Sequence, residues 1–362
     1  MQPEKQRRIG IMVTSLMGAG TEKTILTLAE ALVREGALVD LYVLRDHRDY
    51  TPQAGVNCIW LKTSSNREAR VRLKKSIAEK GKDYYDLFVI SNAKYYPVVP
   101  VANKVCSVHI TPTAWITDGP RWKFWSRARK IRNLRKKFAA RPVIALSGGI
   151  RNDLINNLKV PPENVRQIVN PFDLDAIRTA AAAEGDLPEG RYIVSIASLN
   201  VRKRHADTIR ALGRMQNKEV SLVLVGRGKD ESNLRALAKD LGLQERVIFW
   251  GWDGNPYRLL KHAALSVLAS EAEGSPRALI ESLLVGTPAV ATDCPSGPSE
   301  ILIDELAPFL VPVGDVEALA LAMDQALRDY PEIPAWIGER FDSAEVARRY
   351  LALLEDDGVS DR

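Results

Sequence analysis

A chain of 362 residues with 46% hydrophobic and 27% charged residues is too long for one typical domain, and two domains of about 150–200 residues are expected. The polar start from Met1 to Arg8 does not resemble a secretory leader, and no apolar stretch approaches the roughly 18–20 residues of a membrane span. Three scattered cysteines (Cys58, Cys106, Cys294) argue against a disulfide framework and fit a reducing cytosol, and four isolated histidines without cysteine partners make no metal site.

The net charge of +6 hides an asymmetry. Residues 1–180 carry 31 Lys and Arg against 16 Asp and Glu, a balance of +15, while residues 181–362 carry 20 against 29, a balance of −9. A basic half beside an acidic half suggests that the first faces something anionic.

In chain order, the first half opens with a predicted strand over 9–14, a Gly18-Ala19-Gly20 turn and a helical pattern over 22–35. Further strands are predicted over 38–44, 87–91 and 143–147. The stretch 171–190, with a short helix and then Gly185, Pro188 and Gly190, reads as a linker. The second half then alternates strands over 192–197, 221–225, 247–249, 265–268 and 289–291 with helices over 205–215, 230–241, 257–263 and a helix carrying Glu281. Alternation of this kind predicts βαβ units and parallel sheets covered on both faces. The simplest architecture is α/β, with two Rossmann-like domains facing each other across a cleft: residues 1–178, residues 179–342, and a C-terminal helix and tail over 343–362.

The densest chemistry lies between Ser270 and Glu300. Glu273 and Glu281 stand eight positions apart, the first in a loop after a predicted strand and the second inside the following helix. Ser275 is expected to cap that helix and Pro276 to occupy its first turn. A loop carboxylate, a helix N-terminus and a helix carboxylate form a plausible cradle for a sugar, a phosphate and a ribose diol.

Three other signals are weaker than they look. Gly18-Ala19-Gly20-Thr21-Glu22-Lys23-Thr24 fails as a phosphate loop because Glu22 stands where the last glycine belongs, and as a dinucleotide fingerprint for want of a third glycine. Asp173-Leu174-Asp175 mimics a metal-binding Asp-x-Asp, but it follows Asn170-Pro171 and opens a helix, where Asp173 reads as a cap. The run from Arg121 to Lys137 holds nine Lys and Arg and no acid, interleaved with Trp122, Phe124, Trp125, Ile131 and Leu134. Such a segment suits an anionic membrane or acceptor, with Arg121, Trp122, Lys123, Trp125, Arg127, Arg129 and Lys130 as contacts. The alternatives are a solvated helix or nucleic acid, and no nucleic-acid motif accompanies it.

The chain resembles, best over residues 143–350, the retaining, nucleotide-sugar-dependent glycosyltransferases of the GT-B fold known as family 4, and Gly20-Thr21-Glu22-Lys23 near the N-terminus resembles that family's Gly-rich loop. The resemblance rests on the Glu273-x7-Glu281 spacing, Gly286-Thr287-Pro288, Asn170-Pro171-Phe172-Asp173, Val225-Gly226-Arg227-Gly228, Asn255-Pro256-Tyr257 and Val311-Pro312-Val313-Gly314-Asp315. Asp293-Cys294-Pro295-Ser296-Gly297-Pro298 resembles the subgroup that builds bacterial polysaccharides, lipopolysaccharide and lipid-linked oligosaccharides. The resemblance implies a UDP-hexose or N-acetylhexosamine donor held by Gly20, Arg202, Lys203, Gly274, Ser275, Pro276, Arg277 and Glu281. Glu281 would take the ribose hydroxyls and Lys203 the diphosphate, and His109 and Glu273 would face the reacting sugar as catalytic residues. It further implies no metal or other cofactor, a lipid-linked or lipopolysaccharide-core saccharide acceptor, no nucleic-acid partner, and a cytoplasmic protein peripheral on the inner face of the cytoplasmic membrane. Two departures are visible: Ala19 stands where the family often has a second glycine, and Ser198 replaces its usual arginine, so that either Arg202 or Arg204 takes over as the second diphosphate cation or the donor site is weakened. A nucleotide-sugar epimerase on the same fold, or a non-catalytic scaffold, are the competing readings.

Overall fold

The computed structural model describes residues 6–18, 20–114, 116, 124–139 and 141–355, with residues 124 and 125 described in backbone only. Close contacts divide the chain into two units, Met1–Asp173 with Arg340–Arg362, and Leu174–Glu339.

Unit 1 runs β1 (Arg8–Val13), α1 (Gly20–Arg34), β2 (Leu38–Val43), β3 (Val56–Trp60), α2 (Asn66–Ala78), β4 (Leu87–Ile90), β5 (Lys104–Val108), α3 (Phe124–Phe138), β6 (Val143–Ala145), α4 (Gly148–Asn152) and β7 (Val165–Gln167). Its seven strands order as β3-β2-β1-β4-β5-β6-β7, all parallel. The strand sequence reverses direction between β1 and β4, which makes the crevice beyond their carboxyl ends the place where a ligand is accommodated in such sheets. Strands β1, β2 and β4 are buried almost throughout because helices cover both faces, hence their continuous Val, Ile and Leu character.

Unit 2 runs α5 (Leu174–Ala181), β8 (Tyr192–Ile196), α6 (His205–Arg214), β9 (Ser221–Val225), α7 (Glu231–Asp240), β10 (Val247–Gly251), α8 (Tyr257–His262), β11 (Leu265–Leu268), α9 (Arg277–Leu284), β12 (Ala289–Thr292), β13 (Leu310–Val311) and α10 (Val316–Arg328). Its parallel sheet has the order β10-β9-β8-β11-β12-β13, so the reversal lies between β8 and β11. The last helices, α11 (Trp336–Phe341) and α12 (Ser343–Ala352), bring the chain back, and α12 packs on α1 in unit 1.

The boundaries fall at 173/174 and 339/340, against 178/179 and 342/343 expected from sequence. Two packings account for the difference. Helix α5 lies against α8 and so belongs wholly to unit 2. Phe172 meets Phe341 edge to face, ring centroids 5.8 Å apart, and its N–H donates to the Phe341 carbonyl at 2.8 Å, which draws the returning chain into unit 1 before α12 begins. Sequence patterning also overlooked β3, α2, β7, β13 and α10. Helix α2 buries only Ala69, Leu73 and Ile77 among thirteen mostly polar residues, a stripe too thin to stand out; Ser65 caps it by accepting from the Glu68 N–H at 3.2 Å.

Two local features tie the core of unit 2 to its ligand-facing edge. Gly226 ends β9 with φ +145, and a Cβ there would stand 2.1 Å from the Ala197 carbonyl oxygen, so the loop after β8 can lie close only because residue 226 has no side chain. His205 opens α6 at 2% exposure, with Nδ1 3.4 Å from the Ser195 hydroxyl, and burial pushes its imidazole down to about 4.

Replacing Gly226 by Ala is expected to lower the unfolding free energy by about 2–3 kcal/mol; a urea-denaturation change below about 0.5 kcal/mol would contradict that packing. For His205 the sign follows from proton counting. Below pH 6.5 the unfolded chain protonates this histidine while the fold keeps it neutral, so stability falls as the pH drops from 6.5 toward 4. One such group costs about 2 kcal/mol at pH 5. His205→Gln should therefore lose less stability than the parent between pH 7 and pH 5, and parallel losses in the two proteins would refute the assignment.

Candidate active site

The β8/β11 switch point of unit 2 gathers the charged residues singled out by sequence. The chain leaving β8 forms a 3-10 turn over Val201–Lys203, opened by Asn200, whose side chain accepts from the Arg202 N–H at 3.1 Å. The loop leaving β11 carries Glu271, Glu273, Gly274 and Ser275. The two loops are tied by the Glu271 N–H donating to the Arg202 carbonyl at 3.0 Å. This strap brings the Lys203 ammonium to 2.5 Å from Glu273 Oε1, with only 24% and 12% of the two side chains exposed. A charge-assisted contact this short and this sheltered is stronger than an exposed ion pair, and it presents a cation and a carboxylate at one edge of the sheet.

Helix α9 follows directly, and here one expectation fails. Ser275 does not cap it. The helix begins at Arg277, with Pro276 at the cap position in an extended conformation (φ −74, ψ 92) and no side-chain cap bond. The ring of Pro276 sets the boundary itself and leaves Ser275 outside the helix. Gly297 makes room for that ring, since a Cβ at 297 would stand 2.5 Å from Pro276 Cδ. One turn into α9, Glu281 is 8% exposed and its Oε1 accepts both from the Tyr257 hydroxyl at 3.2 Å and from the Arg277 guanidinium at 2.9 Å.

Of the two arginines flanking Lys203, Arg204 adopts a left-handed backbone (φ 50), and its Nε pairs with Asp207 at 2.6 Å. Arg202 is exposed beside Lys203. The Ser198 hydroxyl accepts from the Asn200 side chain at 2.7 Å, so the position of the family's usual arginine serves to brace the turn. Cys294, 1% exposed just after β12, has its thiol pushed up to about 12 by burial and then by the nearby Glu273 charge, which keeps it a thiol.

Unit 1 has a cavity of about 410 Å³ at its own switch point. Its wall includes Thr14 after β1, Thr21 and Glu22 in the first turn of α1, Ser91 and Asn92 after β4, His109 after β5, and Lys137 of α3. The His109 Nε2 is buried without a hydrogen-bond partner among the described residues, and burial pushes the imidazole down to about 4. Burial also raises Glu22 above the usual carboxylate range against the opposing hydrogen bonds of its own N–H and of Ser15. The loop after His109 is anchored where Asp153 accepts from the Thr113 N–H at 3.0 Å and from its hydroxyl. Gly20 is the first residue of α1, beside this cavity wall.

The described part of the basic run, from residue 124 onward, forms α3. Arg127, Arg129 and Lys130 are exposed, while Leu134, Lys137 and Phe138 at the far end line the cavity. Arg121, Trp122 and Lys123 lie outside the described residues, as does the side chain of Trp125. The Asp-x-Asp pair is engaged by arginines, Asp173 with Arg34 at 3.0 Å and Asp175 with Arg178 at 3.6 Å. Among the described residues no helix is long and apolar enough to cross a membrane. Sequence reasoning gave no role to Tyr257, Glu22, Ser91 or Asn92; Tyr257 lies within Asn255-Pro256-Tyr257 and Glu22 within Gly20-Thr21-Glu22-Lys23, whereas Ser91 and Asn92 carried no signal.

Comparison with known proteins covers both units. The family model for glycosyl transferases group 1 matches residues 178–340, and that for Glycosyltransferase Family 4 matches residues 18–176. The chain is 31% identical over 218 residues to a Campylobacter jejuni enzyme named N-acetylgalactosamine-N,N'-diacetylbacillosaminyl-diphospho-undecaprenol 4-alpha-N-acetylgalactosaminyltransferase, spanning 59% of each protein. It is 25% identical over 220 residues to the Escherichia coli lipopolysaccharide 1,6-galactosyltransferase, spanning 58% of this chain and 60% of that one. The fold is shared with Anabaena HepE, solved in complex with UDP and glucose, at a TM-score of 0.72 and 20% identity over 97% of this chain and 100% of HepE. With a family model on each half and GT-B neighbours across nearly its whole length, the chain belongs to glycosyltransferase family 4.

Proposed function

We propose that this protein is a retaining glycosyltransferase that moves a hexose or N-acetylhexosamine from a UDP-sugar to a lipid-linked or lipopolysaccharide-core saccharide. The observation that carries the reading is the sheltered Lys203–Glu273 contact at the β8/β11 switch point, with Glu281 held one helical turn into α9. Unit 2 takes the donor. Glu281 accepts the ribose hydroxyls, Lys203 and Arg202 face the diphosphate, and the N–H groups around Ser275 and Arg277 meet the sugar or the phosphates. As the bond from C1 to the phosphate oxygen breaks, negative charge grows on the leaving diphosphate, and the Lys203 cation, having exchanged Glu273 for the phosphates, stabilises that charge without a metal ion. The acceptor oxygen bonds to C1 on the face the nucleotide leaves, and its proton passes to the departing phosphate oxygen. No side chain serves as nucleophile. Glu273 orients the sugar through its hydroxyls.

Unit 1 takes the acceptor in its cavity. His109, neutral above about pH 5 on the value of about 4, acts there as a hydrogen-bonding group and not as a cation. The exposed cations of α3 hold the protein on anionic lipid at the cytoplasmic face, each contributing about 1 kcal/mol near such a surface. The names of the Campylobacter and Escherichia relatives, one acting on a diphospho-undecaprenol saccharide and the other on lipopolysaccharide, support an acceptor of this class.

The reaction is tested with UDP-, GDP- and ADP-hexoses and N-acetylhexosamines offered with undecaprenyl-diphosphate saccharides or lipopolysaccharide core. The expected product keeps the donor's anomeric configuration by NMR and forms at the same rate in EDTA. An inverted product, or release of free epimerised sugar without acceptor, would overturn the proposal. For the membrane, the protein should co-sediment with vesicles containing phosphatidylglycerol and not with pure phosphatidylcholine. Changing Arg127, Arg129 and Lys130 together to Ser should weaken that binding at least tenfold, and equal binding by the variant would remove α3 from the docking surface.

A further inference from the structure

Glu281 is the carboxylate on which the donor reading leans, and two side chains from different helices converge on one of its oxygens. Oε1 accepts from the Tyr257 hydroxyl of α8 at 3.2 Å and from Arg277, one turn earlier in α9, at 2.9 Å. The three groups are sheltered: Tyr257 is 9% and Glu281 8% exposed, and the Arg277 and Glu281 side chains are each 10% exposed in their ion pair. No hydrogen bond to Glu281 Oε2 occurs among the described residues.

From this asymmetry we infer that Tyr257 and Arg277 are positioning residues that fix the plane of the Glu281 carboxylate, so that its open oxygen reads the vicinal diol of the donor's ribose. The inference rests on the assignment of Glu281 to the ribose. A carboxylate turns easily about its last carbon–carbon bond and can accept two hydroxyls in several poses. Two donors on Oε1 remove that freedom. The guanidinium supplies a charge-assisted bond within the helix, and the phenol supplies a neutral one from the neighbouring helix, so rotation would break bonds in two directions at once. Burial, reinforced by the adjacent Glu281 charge, keeps Tyr257 protonated and therefore a donor throughout the useful pH range. Preorganisation of this kind acts on ligands that carry the hydroxyls and is indifferent to those that do not.

That difference supplies the test. Binding of UDP, GDP and ADP, each beside its 2′-deoxy counterpart, is measured by calorimetry for the parent protein, Tyr257→Phe and Arg277→Lys. The parent is expected to prefer the ribose form of its nucleotide at least tenfold. In Tyr257→Phe, affinity for the ribose form should fall about tenfold while affinity for the deoxy form changes less than threefold, so the preference collapses. Arg277→Lys, which keeps the charge but loses the planar fork, should reduce the preference in part. With the full reaction, Tyr257→Phe should raise the donor KM and leave kcat within about twofold, a split that general loosening of the fold would not produce. A parent preference retained in full by Tyr257→Phe would overturn the inference alone. Equal binding of ribose and deoxy forms by the parent, or no binding of any nucleotide, would overturn the ribose assignment of Glu281 and this inference with it.

Discussion

Placing a lysine and a glutamate in partial shelter is costly unless each satisfies the other, and the Lys203–Glu273 contact is the constraint around which the second unit is arranged. It holds only if the turn after β8 and the loop after β11 meet, and they meet because those strands are neighbours at the switch point. The smaller features serve the same closure. Gly226 lets the Ala197 carbonyl come close, Asn200 and Ser198 brace the turn, and the Glu271–Arg202 backbone bond straps the two loops together. An oppositely charged pair of this kind is also a poised site. On the proposed reading, a bound diphosphate would offer Lys203 a second anion, and the hydroxyls of a sugar would offer Glu273 donors in its place.

Next to that pair, Glu281 is restrained differently. Its partners are the donors Tyr257 and Arg277 within the protein, whereas Lys203 and Glu273 pair with each other from two different loops. The two carboxylates of the Glu-x7-Glu spacing thus differ in setting, one on a loop and the other inside a helix. Unit 1 contributes in another way. Its cavity walls carry the hydroxyls of Thr14, Thr21 and Ser91, the Asn92 amide, the His109 imidazole, the half-buried Glu22 carboxyl and the Lys137 ammonium, a set that on the proposed reading would hydrogen-bond a saccharide.

Much of this was legible in the sequence. Strands such as β1, β9 and β11 are short, continuous apolar runs followed by glycine or polar turns, and parallel sheets follow from that pattern. Glu273 and Glu281 stood out because the motif places one on a loop and the other inside a helix, whereas Lys203 came only from what the family resemblance implies. What escaped reading was tertiary in origin. Helix α2 exposes most of its surface, and β3, β7 and β13 are short or partly exposed edge-side strands. Ser275 has the residue type of a cap, but Pro276 takes the boundary first. Tyr257 reads as a core aromatic until the structure brings its hydroxyl to Glu281, and no local pattern announces a contact between residues 24 positions apart. Nor could sequence choose between Arg202 and Arg204 as a companion to Lys203; in the structure Arg204 pairs with Asp207 and Arg202 is exposed.

The central claim is that a nucleoside diphosphate takes the place of Glu273 as the partner of Lys203. The most direct measurement is calorimetric titration of UDP into the parent protein, Lys203→Met and Glu273→Gln. Removing the lysine should weaken binding at least tenfold, whereas removing the carboxylate's charge releases the lysine and should leave binding equal or tighter. Unchanged affinity in Lys203→Met, or a loss in Glu273→Gln as large as that in Lys203→Met, would contradict the account.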